Sequence, residues 1–258
     1  MDFTQRLKWI EQVMNAEKTD YLQSPSENRI LGMQDSTESQ VQLPLKHISL
    51  FRPEHYEPGY AYPLVIWLHT EGGSEHDLHQ IMPQISMRNY LGLSFRAPAI
   101  DPAAQENGYH WPDSHLFAAR FMESIQKTVL ELSKVLNIHE DRIYLAGTGN
   151  GCSIATKLLL KAPHFFAGAA LLNGSFSDKD FQKASGASLK GNRVLLDRRS
   201  SSHSDSKHSA QWLSRMWETT GAGIQTVNSL KSEATQDSEL FNILDRWIME
   251  GISTAWLV

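Results

Sequence analysis

Cysteine is nearly absent. Cys152 is the one thiol in 258 residues, so no internal disulfide can form, which fits a reducing compartment. Positive charge is not in excess either. Lysine and arginine number 24 against 29 aspartates and glutamates, a formal net charge of −5, which argues against nucleic acid and anionic membrane surfaces as partners. No apolar run approaches the roughly 18 residues of a membrane-spanning helix. The N-terminus, Met1-Asp2-Phe3-Thr4, lacks a basic segment followed by an apolar one, so no secretion signal is expected. Internal repeats are missing as well. These absences together predict a cytoplasmic protein, and no cofactor is expected.

What remains is an ordinary globular composition, with 41% hydrophobic and 21% charged residues, enough to bury a core. Phe3, Leu7, Ile10 and Met14 mark one face of a helix over residues 4–17. Residues 21–40 are polar and read as a linker. Residues 1–40 are thus an extension, and 41–258 a domain. Within it, strands are expected at 47–51, 64–68, 93–97, 143–148, 167–172, 194–196 and 224–228. Helices are expected at 76–89, with Pro83 as a kink, and at 114–136, 208–220 and 238–251. The second of these turns Leu116, Ala119, Ile125, Val129, Leu132 and Leu136 mostly inward. The run Leu64-Val65-Ile66-Trp67-Leu68 is apolar throughout, as a strand buried on both faces should be. Strands alternating with helices predict an α/β fold, a mostly parallel central sheet with helices on both faces.

One stretch punctuates this pattern. In Ile143-Tyr144-Leu145-Ala146-Gly147-Thr148-Gly149-Asn150-Gly151-Cys152-Ser153-Ile154-Ala155 an apolar run stops at a glycine cluster and a helical pattern begins at once. The spacing Gly-x-Gly-x-Gly is that of the strand–turn–helix elbow Gly-x-Ser-x-Gly, with Gly149 at the apex.

With that elbow, and with His69-Thr70-Glu71-Gly72-Gly73 directly after the buried strand, the chain resembles the α/β hydrolases of the phospholipase/carboxylesterase type. Pro163-His164-Phe165-Phe166-Ala167-Gly168 after the elbow helix strengthens the likeness, which covers the chain from about residue 47 onward. The resemblance implies a serine esterase or thioesterase fold, with an oxyanion hole formed partly by a His-Gly-x-Gly-Gly loop. It also implies a triad in the order Ser, Asp or Glu, His.

The residues that chemistry needs are not in their places. The nucleophile position is Gly149. The position expected for the acid is Ser202, with Asp205 a shifted substitute, and Ser232 stands where the histidine belongs. No histidine follows His208 at all. Thr70 replaces a loop glycine, and Glu71 brings a carboxylate that points to water or else opposes an oxyanion. An apex residue sits in a sparsely populated backbone region at a cost on the order of 1–3 kcal/mol, which glycine avoids.

The other candidates have ordinary readings. Cys152 and Ser153, in the first helical turn, are expected to pack rather than react. His76, Asp77 and His79 read as a solvated helix face, and His203, Asp205 and His208 as a loop, so no metal site is expected. Tyr109 and Trp111 either line the cleft or plug the space under a loop. The leading expectation is a non-catalytic, hydrolase-like binding or scaffold protein. It would hold a small anionic or acyl ligand in a vestigial oxyanion nest of Thr70, Glu71, Gly72, Gly73, Asn150 and Gly151. A protein partner or a homo-oligomer is compatible with that reading. The rivals are an active carboxylic-ester or thioester hydrolase with displaced residues, and a subunit whose outer surface carries the function.

Overall fold

A computed structural model describes residues 47–100, 108–174, 176, 178–181, 188–197, 210–227 and 236–254. The helix and linker expected within residues 1–40 lie outside this set. So do the segments carrying Ser202, His203, Asp205, His208 and Ser232.

The elements run β1 (Ile48–Phe51), β2 (Tyr62–Leu68), α1 (Leu78–Ile85), β3 (Leu91–Phe95), β4 (Ala99–Ile100), β5 (Tyr109–His110) and α2 (His115–Ser133). They continue β6 (Ile138–Gly149), α3 (Gly151–Lys161), β7 (Gly168–Gly174), β8 (Arg193–Asp197), α4 (Ala210–Thr219), β9 (Gly223–Val227) and α5 (Gln236–Thr254). Seven strands form one sheet in the order β1-β3-β2-β6-β7-β8-β9. Only β1 runs antiparallel to its neighbour, and every other pairing in that sheet is parallel. The two-residue pair β4–β5 carried no periodicity to read.

Every residue of β2 is buried, as its unbroken apolar run requires for a central strand. Val65 and Trp67 belong to a core cluster that also takes in Tyr144, Ala146, Leu78 and Met82 of α1, and Leu244, Trp247 and Ile248 of α5. Helix α3 packs against β6 and β7, and α2 against α3. Burying each large apolar side chain stabilises the fold by roughly 1.5–3 kcal/mol, and Trp67, Trp217 and Trp247 are the bulkiest of those fully enclosed.

Several expectations shift, β6 starting at Ile138 rather than 143, and three of the changes have a local reason. Helix α1 ends at Ile85 rather than near residue 89. Pro83 lies inside it, Ser86 is extended, and Ser86 Oγ accepts from Arg88 N and Asn89 N, which competes with further helix. Strand β3 ends at Phe95 because Ala97 N donates to the His69 ring instead of to the sheet. In α2, Leu116 is 63% exposed, not inward. The inward stripe is set by Ala118, Phe121, Met122, Ile125 and Val129, and Leu116 lies more than half a turn from Ala118. Among the described residues no helix is long and apolar enough to cross a membrane.

Candidate functional site

Strand β6 ends on Gly149, which takes φ 54°, and α3 starts two residues later. Asn150 between them is right-handed (φ −73°, ψ −15°). The apex therefore sits in the left-handed region that glycine enters at no steric cost. The flanking glycines are needed for space. A Cβ on Gly147 would come within 2.8 Å of the Gly151 carbonyl, and one on Gly151 would come within 2.8 Å of His69 O. Strand, helix and the loop after β2 thus meet backbone to backbone.

That contact brings Gly149, Asn150 and Gly151 beside Thr70. A Cβ built on Gly149 would fall inside contact distance of Thr70 Oγ1 and 3.2 Å from Thr70 Cβ. The apex does not open onto spare room, as loss of a side chain there would suggest; Thr70 takes the space. Glu71 is exposed to solvent. Two backbone donors of the loop are already used, Gly72 N on Tyr109 O (3.1 Å) and Gly73 N on Thr70 O (3.1 Å). Asn150 Oδ1 is buried without a hydrogen-bond partner among the described residues.

The loop is held rigidly from three sides. The His69 ring is fully buried; its Nδ1 donates to Thr70 O (2.8 Å) and its Nε2 accepts from Ala97 N (3.1 Å). This fixes a neutral tautomer, and burial lowers its pKa from the ordinary 6.5. Trp111 is 5% exposed, lies tilted beside His69 with centroids 4.9 Å apart, and donates from Nε1 to His69 O (2.9 Å). Of the two readings open for Trp111, the packing plug holds. Tyr109 bridges to Gly73 through its backbone and lies under the Arg96 guanidinium, 4.8 Å from the ring centroid.

Glu75 is the third support. It is 1% exposed and forms a two-pronged pair with Arg96, Oε2 to Nε at 2.9 Å and Oε1 to Nη2 at 2.5 Å. Burial alone would raise its pKa, but the Arg96 hydrogen bonds and charge, a backbone hydrogen bond and His76 together outweigh it and hold the carboxyl below its usual range. A capping box on Ser74 and Asp77 starts the short 3-10 turn Glu75–Asp77 that carries it. His76 Nε2 lies 3.3 Å from Glu75, and His79 Nε2 lies 3.2 Å from Ser49 Oγ. Among the described residues no three metal-ligating side chains cluster.

Cys152 is fully buried, and its thiol points at Gly147 O (3.1 Å). Burial pushes the thiol pKa far up, so it is a packing group and not a nucleophile. Ser153 is in richer company. Its Oγ donates to Asp180 Oδ1 (2.6 Å) and accepts from Lys157 Nζ (2.6 Å), and Lys157 also pairs with Asp180 and, at 2.9 Å, with Asp113. Nothing singled out Lys157, Asp180 or Asp113 in the sequence. The available signal was a lysine four residues after Ser153 in an apolar helical run, one turn along the same face.

No protein-family model matches the chain, and no curated protein sequence does. Solved structures match its shape. A carboxylesterase from Bacillus cereus superposes with TM-score 0.59 at 16% identity, covering 79% of this chain and 93% of its own. A carboxylesterase from Mesorhizobium loti gives 0.56 at 18% identity, over 74% and 90%. A phospholipase/carboxylesterase from Dyadobacter fermentans gives 0.53 at 14%, over 78% and 96%. The fold is that of the α/β hydrolases.

Proposed function

We propose that this chain is a hydrolase-like protein of the phospholipase/carboxylesterase type that binds or scaffolds without catalysing. The observation that carries the reading is the Thr70 side chain, which fills the space where a side chain at Gly149 would stand. An acyl-transfer enzyme of this fold needs a hydroxyl at that apex and room for a substrate carbonyl above it. The lack of any histidine after His208 supports the same reading. A small anion or acyl group is the proposed ligand, held by the N–H groups of Asn150 and Gly151 at the start of α3, with the single thiol suited to a reducing cytoplasm.

The second reading, an ester or thioester hydrolase with displaced residues, has one observation in its favour, the hydrogen-bonded set Ser153, Lys157 and Asp180. Against it, Ser153 Oγ donates to a carboxylate, and Lys157 is the cationic partner of two carboxylates. A lysine that serves as a base must be neutral.

The deciding experiment is a fluorophosphonate probe with a panel of carboxylic and thioester substrates. No labelled serine and no turnover above background is the expected result. Turnover with a labelled serine overturns the reading, and labelling lost in Ser153→Ala would establish the displaced site.

A further inference from the structure

The two edges of the sheet differ. At β1, Ser49 and Leu50 point to opposite faces and are both buried, His79 Nε2 lies 3.2 Å from Ser49 Oγ, and Arg52 and Pro53 follow directly. At β9, which ends the strand order beyond β8, Gln225 and Thr226 are both exposed. Successive side chains on a strand point to opposite faces, so neither face is covered there.

The register shows where the backbone groups of β9 point. Gly223 pairs in parallel with Arg193, and its N–H donates to Asn192 O (2.9 Å). Backbone groups alternate sides along a strand. Gly223, Gln225 and Val227 therefore bond to β8, while Ile224 and Thr226 turn their N–H and C=O groups to the outer edge. Among the described residues no strand or loop backbone bonds to that edge. An unpaired row of this kind is a template for another strand, and proteins usually blunt it with lysine, proline or a bulge. Gly223-Ile224-Gln225-Thr226-Val227 has no charge and no proline, and its register with β8 is unbroken.

The row is also complementary to itself. When two copies pair antiparallel about a two-fold axis at Gln225, Ile224 of each faces Thr226 of the other. Both residues point outward, so each such pair exchanges its N–H···O bonds. Gln225 meets its own copy in the close, non-hydrogen-bonded position between them. With no charge in the strand, the copies meet without the repulsion that like charges opposite one another would bring.

We propose that two copies of this chain associate edge to edge along β9, joining their sheets into one continuous sheet with Gln225 on the two-fold axis. The contact is isologous. It uses nothing of the Gly149 apex and stands whether or not the apex binds a ligand. So short an interface makes a weak, reversible dimer, with Kd of about 10–100 μM.

The test is sedimentation velocity of the full chain across a concentration series, with thermal melts to check that each variant is folded. The native chain should pass from monomer to dimer as concentration rises. Thr226→Pro removes an outward N–H and no bond to β8, and should leave a folded monomer. Gln225→Lys and Gln225→Glu each place like charges on the axis and should each be monomeric, while an equimolar mixture of the two should form a heterodimer. The glutamine variants change an exposed side chain only, so they decide the matter even if the proline variant fails to fold. A native chain that stays monomeric up to about 1 mM, well above that Kd, overturns the proposal and leaves the edge to some other partner. A dimer that survives Thr226→Pro, or charge variants that stay monomeric when mixed, would overturn it too.

Discussion

The side chain of Thr70 stands where a Cβ on Gly149 would be, so position 149 cannot carry a side chain unless Thr70 moves. Gly149→Ser therefore meets two obstacles. The backbone at φ 54° disfavours any side chain, at on the order of 1–3 kcal/mol, and the new Cβ collides with Thr70 Oγ1. We expect a loss at or above the upper end of that range, read from urea midpoints, and no esterase turnover. Thr70→Gly combined with Gly149→Ser should recover the collision part and still lack turnover. If the double variant is no more stable than Gly149→Ser, Thr70 does not occupy the seat.

Acid should loosen the loop after β2. The folded pKa of His69 is depressed, chiefly by burial, with Arg96 adding to the effect and Thr70 O, Asp77 and Glu75 opposing it. A proton on Nε2 would also face Ala97 N–H, donor against donor. The neutral ring thus contributes stability that is present above the unfolded value of 6.5 and lost as pH falls through the lower folded value. Glu75, held low by Arg96, adds a second loss below the ordinary carboxylate value of 4.5. Urea unfolding from pH 8 to 4 should show stability declining once below about 6.5. A His69 ring that titrates at or above 6.5 by NMR would contradict this.

The two partners of Lys157 should differ in cost. Asp180→Ala removes the buried counter-ion and leaves Lys157 only the solvated Asp113, so it should destabilise by up to about 3–5 kcal/mol, whereas Asp113→Ala, which leaves Asp180 in place, should cost about 0–1 kcal/mol. Replacing the buried pair together, Lys157→Met with Asp180→Leu, should be milder than Asp180→Ala. Equal losses for Asp113→Ala and Asp180→Ala would mean that both carboxylates are structural.

The elements themselves were legible because their signals are local. An unbroken apolar run gave β2, a glycine cluster gave the turn at Gly149 and the start of α3, and helical spacing gave α2 and α5 to within a few residues. The supports of the loop were not legible. Arg96 meets Glu75 across 21 positions and Trp111 meets His69 across 42, so no local periodicity records either contact. Lys157 was hidden for a different reason. A lysine in a helix reads as solvated, and only the tertiary approach of Asp180 lets it be buried. Thr70 was noticed as a departure from a glycine, but its effect on the apex depends on the distance between two loops, which residue types alone do not carry.

That distance also bears on whether the apex still binds an anion. The start of α3 favours negative charge through its unpaired N–H groups and dipole. Opposing this, Gly72 N and Gly73 N are spent on Tyr109 O and Thr70 O, and the Leu68 and His69 carbonyl oxygens lie where a Cβ on Gly151 would stand. Thr70 covers Gly149, while the exposed Glu71 adds a carboxylate nearby. Two donors, Asn150 N–H and Gly151 N–H, are left to do the binding, so affinity should be weak. Titration with acetate and with inorganic phosphate should move the amides of Asn150, Gly151 and Cys152 at about millimolar concentration. Thr70→Ala should enlarge the response by opening the seat, and Glu71→Gln by removing repulsion. Response only in Thr70→Ala would identify Thr70 as a plug that closes the nest in the native chain. If the amides stay silent in the native chain and both variants, the apex is a structural turn alone, and binding must be sought elsewhere on the molecule.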